Sequence, residues 1–233
     1  MANAPAGLSR AASKLYLARL PAATRPRTLV ASEAAALRGF VAEAPGPAVL
    51  KPLSGTRGAG VFRVTPEEPN LGAILESLLA AGPVMAQDWV PGAEAGDTRV
   101  LLLDGRPLEL GGQLAAIRRV PAAGDFRSNL HAGGRAEPAA LDAAARATLA
   151  AIGPGLVADG LRLVGVDLIG DQVIELNVFS TGGLRDAERF SGQDFSDRVV
   201  RALSQAPPAA APPSSTPALS PSSATRPPEG QQP

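Results

Sequence analysis

Two apolar runs, 161–169 and 173–179, meet at Gly170-Asp171-Gln172. The second run alternates apolar and polar residues through Ile174-Glu175-Leu176-Asn177-Val178. A period of two is the pattern of a strand with one buried face. Two such runs joined by so short a link can pair only antiparallel. This hairpin needs an antiparallel sheet and a core beneath it. Glu175 and Asn177 share one face, and Ile174 and Leu176, with Val166, are expected on the core side. If the link is the three residues Gly170-Asp171-Gln172, Asp167 stands opposite Glu175 and joins that polar face. A two-residue link would put Asp167 and Glu175 on opposite faces, because register fixes the side to which every residue points. In the first case three hard oxygen ligands converge, a set that suits Mg²⁺, with Mn²⁺ as the alternative. The plainer reading is a hairpin with one side in water.

The remaining segments supply the partners such a hairpin needs. A short helix containing Lys14 is followed by a strand at 28–30, and Ser32 is positioned to cap a helix reaching Glu43. Strands at 48–52 and 61–64 flank a glycine loop, and a helix covers 71–81. A strand at 84–89 ends before Pro91. Runs 98–103 and 106–110 form a hairpin across Asp104-Gly105, a strong turn signal, and 113–120 is a further strand. A helical stretch over 138–159 is expected to break near Gly153-Pro154, and helix resumes from Leu184. Strands arriving as hairpins with helices between them indicate an α+β fold with antiparallel sheets. From Gln205 the sequence is mainly Pro, Ala, Ser and Thr, with Arg226 and Glu229 as its only charges. Such a segment buries too little apolar surface to offset chain entropy. The division is a folded domain over 1–204 and a disordered tail over 205–233.

Composition narrows the function classes. The 22 basic and 22 acidic side chains balance, so the basic footprint of a nucleic-acid binder is missing. With no cysteine in the chain, disulfides, thiolate metal sites and a cysteine nucleophile are excluded. No apolar run is long enough to span a bilayer, and the first residues lack the apolar core of a signal peptide. A soluble, cytoplasmic protein is expected, with no nucleic-acid or membrane partner; a homo-oligomer is left open.

Only Lys14 and Lys51 among the 22 basic residues are lysine. A bias towards arginine codons explains the other twenty. The two lysines are either chance survivors or occupy places where a compact ammonium is required. Lys51 lies just before Ser54-Gly55-Thr56-Arg57-Gly58-Ala59-Gly60, whose glycines would let backbone N–H groups approach an anion. The loop has neither P-loop nor dinucleotide-fingerprint spacing. Gly96-Asp97-Thr98-Arg99 and Arg119, with Arg127-Ser128-Asn129, form two charged clusters whose ordinary reading is solvated surface. His131 is the only histidine; without a triad or a second imidazole, it reads as a loop residue. Trp89 could line a flat ligand slot, although core packing is the commoner fate of a lone tryptophan.

Taken in order, these pieces resemble the ATP-grasp region of bacterial glutathione synthetase. The resemblance rests on Lys14-Leu15-Tyr16, Lys51-Pro52-Leu53-Ser54-Gly55, Met85-Ala86-Gln87 and Gly96-Asp97-Thr98-Arg99-Val100. It continues through Arg127-Ser128-Asn129-Leu130, Ala132-Gly133-Gly134, Gly165-Val166-Asp167 and Glu175-Leu176-Asn177-Val178. It implies an ATP-grasp fold, with two lobes around a nucleotide cleft, and an ATP- and Mg²⁺-dependent ligase that joins a carboxylate to an amine. In the family these are γ-glutamylcysteine and glycine. By the same resemblance, Lys14 and Lys51 contact ATP phosphates, and Gly55 and Gly58 belong to the loop over them. Gln87, Asp88, Trp89 and Val90 form the adenine-recognising linker. Asp97 and Arg99 lie near the nucleotide, and Arg99, Arg127 and Asn129 serve the acyl-phosphate. Asp167, Glu175 and Asn177 hold the metal, while Ser180, Gly182 and Gly183, with Arg127, face the substrate.

Two departures from the pattern bear on substrate. Ser54 and Arg57 stand where the family has an acidic residue and a glycine, and there the loop is closer to the related ribosomal-protein glutamate ligases. The family also carries an N-terminal substrate domain ahead of the segment that begins here near Asn3, so part of a dipeptide site is expected to be missing. That leaves another carboxylate–amine pair, or a Mg-ATP-binding remnant without ligase activity, as the alternatives.

Overall fold

Alternation along the strands sorts them into two antiparallel sheets with a cleft between them. The computed structural model describes residues 2–55, 58–122, 124, 128 and 133–206. The chain enters through α1 (Pro5–Ala11) and a 3-10 helix, Lys14–Arg19. The first sheet contains β1 (Thr28–Ala31), β2 (Ala48–Pro52), β3 (Phe62–Val64) and β4 (Val84–Asp88) in the order β1-β4-β2-β3. On one face, Ala48, Leu50, Val84 and Ala86 pack beneath α2 (Ala34–Glu43) and α3 (Leu71–Leu79), meeting Leu37, Val41, Leu71 and Leu75. The intervening residues Val49, Lys51 and Gln87 line the cleft.

The second sheet runs β10-β9-β5-β11-β12, with β6 on the far end of β5. Its strands are β5 (Asp97–Leu103), β6 (Arg106–Pro107), β9 (Ala116–Val120), β10 (Arg135–Pro138), β11 (Leu163–Ile169) and β12 (Gln172–Asn177). A two-stranded ribbon, β7 (Glu109–Leu110) with β8 (Gln113–Leu114), leads between them. Both faces are covered. Val100, Leu102, Val164 and Val166 meet Leu149, Ile152 and Leu156 of α4 (Ala143–Ala158). Leu101, Leu103 and Ile117 meet Ala187 of α5 (Leu184–Ser191) and Phe195 and Val199 of α6 (Phe195–Leu203). Each fully buried leucine is worth about 1.5–3 kcal/mol of transfer free energy. The α5/α6 face is apolar only along part of β5. Asp97 and Arg99, of the same parity as Leu101 and Leu103, continue that face into the cleft.

The α+β reading with antiparallel sheets holds, and several local expectations are corrected. Ser32 does not cap α2. Glu33 occupies that position with no side-chain hydrogen bond. Of the stretch expected to be helical from 138, Pro138 is instead the last residue of strand β10, and residues 139–142 are not helical. The helix starts only after Asp142, whose side chain accepts from Ala145 N at 2.8 Å. Pro154 does not break α4. The preceding residue, Gly153, has no Cβ to clash with the proline ring, and Pro154 removes only its own N–H from the helix ladder. The runs 106–110 and 113–120 are each interrupted, because Leu108 and Ala115 bond instead to the central strand region: Leu108 N donates to Leu101 O, and Leu101 N to Ala115 O. The Lys14 segment is 3-10 rather than α, with Ser13 Oγ accepting from Leu15 N. The tail lies outside the described residues from 207 onward.

Candidate active site between the two sheets

The floor of the cleft is a checkerboard of charge set by strand pairing. Asp97 stands opposite Arg119 across β5 and β9, and Arg99 stands opposite Asp167 across β5 and β11. Asp97 and Arg99 are two residues apart, so all four project from one face. The Arg99 fork donates to Asp167, Nε to Oδ1 and Nη2 to Oδ2, both at 2.7 Å. Arg119 donates to Asp97 at 2.6 and 2.8 Å and reaches across to Asp167 Oδ2 at 2.7 Å. Asp167 is 0% exposed and Asp97 6%. Burial pushes both carboxyls up, but the outcomes differ. Arg119 and Arg99 outweigh burial at Asp167 and hold it below the usual carboxylate range. At Asp97, burial and the charge of Asp167 prevail over Arg119, raising it to about 6. The two carboxyls therefore shift in opposite directions although both are buried. Arg119 is raised, since the two carboxylates outweigh its own desolvation. The solvated-surface reading of the Asp97–Arg99 and Arg119 clusters is overturned: these pairs are interior.

The polar face of the hairpin lies beside this floor. Asp167 pairs with Glu175 and Gly165 with Asn177, as the three-residue link would require. The link, however, is two residues, Gly170-Asp171, because Ile169 pairs with Gln172. A bulge beyond Leu168↔Val173 leaves Ile174 as an extra residue and restores the register. Ile174 is consequently not in the core; it lines the cleft. Its carbonyl accepts from Lys51 Nζ at 3.1 Å. Lys51 is 7% exposed. Burial pulls its pKa down to about 8, aided by Lys14 and opposed by Glu175 and Asp167. Lys14 Nζ donates to Gly55 O at 2.9 Å and lies 3.8 Å from Glu175 Oε1. Both rare lysines thus reach the same pocket from different elements.

The walls collect most of the remaining expected residues. The cleft, of about 710 Å³, is lined by Gly55, Gly58, Gln87, Asp88, Trp89, Val90, Ser180, Gly182 and Gly183 as well as by Lys14, Lys51, Asp97, Arg99, Arg119 and Glu175, while Asp167 lies buried behind Arg99 and Arg119. Gln87 Nε2 donates to Thr28 Oγ1 at 3.0 Å. The carboxylate of Asp88 is clamped by Arg27 at 3.0–3.2 Å, so it serves to fix the linker. Arg63 stacks 4.3 Å from the centroid of Trp89. Thr181 O accepts from Arg99 Nη1 at 3.0 Å, tying the 180–183 loop to the floor. Arg127, Asn129 and His131 lie outside the described residues, whereas Ser128 lines the cleft. Arg119 stood out in the sequence only as a member of a charged cluster and was given no role, and Asn3 was missed. Asn3, 4% exposed, donates through Nδ2 to Leu163 O and Val178 O and accepts from Leu163 N, all at 2.9 Å.

The oxygen donors fit a hard divalent cation in kind: two carboxylates and the Asn177 amide on one face. Asn177 donates Nδ2 to Asp167 Oδ2 at 3.2 Å. Among the described residues no group of three His, Cys, Asp or Glu is placed to hold a metal, so the amide is needed to complete a set.

The chain matches the prokaryotic glutathione synthetase ATP-grasp domain over residues 13–192. It is 38% identical over 203 residues to a glutathione synthetase of Synechococcus elongatus, covering 86% of this chain and 60% of that protein. The corresponding protein of Parasynechococcus marenigrum is 41% identical, with 86% and 64% covered. The chain thus spans about 60–64% of the length of these relatives. Among solved structures, the ATP-grasp ligase PsnB, complexed with a minimal precursor, superposes with a TM-score of 0.61 at 25% identity, covering 88% of this chain and 64% of that one. D-alanine–D-alanine ligase from Bacillus anthracis, complexed with ATP, gives 0.57 at 16% identity, with 86% and 67% covered, a likeness of fold alone. By its sheets, its cleft and these matches, the chain has the ATP-grasp fold and belongs to the ATP-grasp domain family of prokaryotic glutathione synthetases.

Proposed function

We propose that the cleft binds Mg-ATP and drives an ATP-dependent ligation of a carboxylate to an amine. The observation that carries this is the convergence of Lys14 and Lys51 on the hairpin face of Glu175 and Asn177, beside the Arg99 and Arg119 pairs. In the reaction, a substrate carboxylate oxygen bonds to the γ-phosphorus as the bond to the ADP oxygen breaks. The amine nitrogen then attacks the acyl carbon, phosphate leaves, and the amine loses a proton. Positioning and charge neutralisation carry most of the catalysis in such chemistry. Lys14 and Lys51 offset phosphate charge, and Arg99, Arg127 and Asn129 serve the acyl-phosphate. The linker from Gln87 to Val90 receives the base, Gly55 and Gly58 let the loop backbone approach the phosphates, and Ser180, Gly182 and Gly183 border the acceptor. Asp167, Glu175 and Asn177 would hold a magnesium ion, which when bound supplies charge neutralisation at the phosphate oxygens.

For substrates we propose γ-glutamylcysteine and glycine, on the strength of the names of the relatives and their 36–41% identity. ADP release with that dipeptide and glycine is the test; a folded chain that binds Mg-ATP but forms no amide would refute it.

A further inference from the structure

Asp167 presents a conflict that the proposed function leaves unresolved. Its carboxylate is fully buried and already accepts four hydrogen bonds. A carboxylate offers about four lone-pair sites. Oδ2 alone accepts from Arg99 Nη2, Arg119 Nη2 and Asn177 Nδ2. For a cation to reach Oδ2, one donor must leave. Asn177 can turn its amide and offer Oδ1. Between the two arginines the anchoring is unequal. Arg99 grips Asp167 with two bonds and Thr181 O with a third. Arg119 gives Asp167 a single bond, while its fork is bidentate on Asp97. It can release Asp167 and still keep its own charge paired.

We propose that Arg119 is a positioning residue that keeps the metal site closed in the chain by itself, its Nη2 standing where a divalent cation would meet Asp167 Oδ2. This rests on the Mg-ATP reading of the cleft. A cation arriving alone must displace a buried guanidinium from its carboxylate. A nucleotide–metal complex brings phosphate oxygens that give a guanidinium another anion, so the exchange conserves pairing: Asp167 trades a cationic donor for a cation. Metal and nucleotide therefore enter together, and metal binding without nucleotide is suppressed.

The test is Mn²⁺ binding followed by electron paramagnetic resonance, with no activity readout. Wild type is expected to bind Mn²⁺ at least tenfold more tightly with a non-hydrolysable ATP analogue than without it. Arg119→Met, with its fold checked by circular dichroism, is expected to gain roughly tenfold in affinity for Mn²⁺ alone, since a like charge beside the site is removed. Arg119→Lys should gain much less, and adding Glu175→Gln to Arg119→Met should erase the gain, a pattern that lost packing alone would not produce. Equal Mn²⁺ affinity in wild type with and without nucleotide overturns the proposal, as does a folded Arg119→Met that gains nothing. A separate titration of wild type with Mg-ATP, read by the fluorescence of Trp89, distinguishes the two readings. If no nucleotide binds, the proposed function fails; if it binds while Arg119→Met gains nothing, only the role of Arg119 fails.

Discussion

At the scale of single residues, the two lysines show why the ammonium was kept. Lys51 reaches one backbone carbonyl from a nearly closed slot, and Lys14 reaches another. An arginine fork would need more room and further acceptors in the same place. Lys51→Arg is expected to overpack the slot, costing about 1–3 kcal/mol in urea denaturation and weakening nucleotide binding. The pH dependence follows from burial. Below its pKa of about 8, Lys51 is charged and ready for a phosphate. Affinity for ATP is expected to fall as pH rises above 8, by at most about tenfold per unit for one proton. Trp89 fluorescence should follow this in wild type, and the fall should be much reduced in Lys51→Gln. The stability contribution has the opposite slope. Because the folded pKa lies below the unfolded value of 10.5, the unfolded chain holds more protons between pH 8 and 10.5. This group's contribution to stability therefore rises with pH across that window. The scarcity of lysine marked both positions in the sequence. It could not reveal the carbonyl partners, which come from segments 123 and 41 residues away.

At the scale of elements, the β11–β12 hairpin shows register being set by a bulge as well as by a turn. Residue counting offered two faces for Asp167, and the extra residue at Ile174 selected one. The bulge also turns a carbonyl to Lys51, so one irregularity serves both register and site. Next to it, Gly165 lets the 180–183 loop lie against the sheet. A Cβ there would stand 2.9 Å from Thr181 O. Gly165→Ala is expected to displace that loop and cost about 1–3 kcal/mol, measured by urea denaturation. Where β11 and β12 part, Asn3 takes the place of a neighbouring strand, bonding both backbone groups of Leu163 and the carbonyl of Val178. Asn3→Ala leaves these groups short of partners, and a loss of about 1–3 kcal/mol is expected. Hydrogen exchange should show faster opening at Leu163. An unchanged profile would mean that water replaces the side chain without penalty. Nothing in the sequence around Asn3 signals this role, since its partners lie 160 and 175 residues away.

At the scale of the whole molecule, the candidate site belongs to no single element. Lys51 comes from the first sheet, Lys14 from the entry segment, and the charged floor from three strands of the second sheet. A ligand bound between them ties these parts together and stabilises the fold by mass action. Mg-ATP at a hundredfold excess over its Kd is expected to add about 2.7 kcal/mol and raise the melting temperature in differential scanning fluorimetry. Glu175→Gln combined with Asn177→Ala should remove that shift; a full shift in the double variant would mean the hairpin face takes no part in binding. The sequence by itself determined the antiparallel sheets, the shared face of Glu175 and Asn177, and the two lysines as exceptional. These follow from local alternation and from composition. The tertiary structure decided that Asp167 joins that face through a bulge, that Asp97, Arg99 and Arg119 are interior, and that Asn3 completes the sheet. A single charged residue reads as surface because burying it alone is prohibitively costly. Only when strands distant in sequence lie side by side does each charge meet the partner that makes burial affordable.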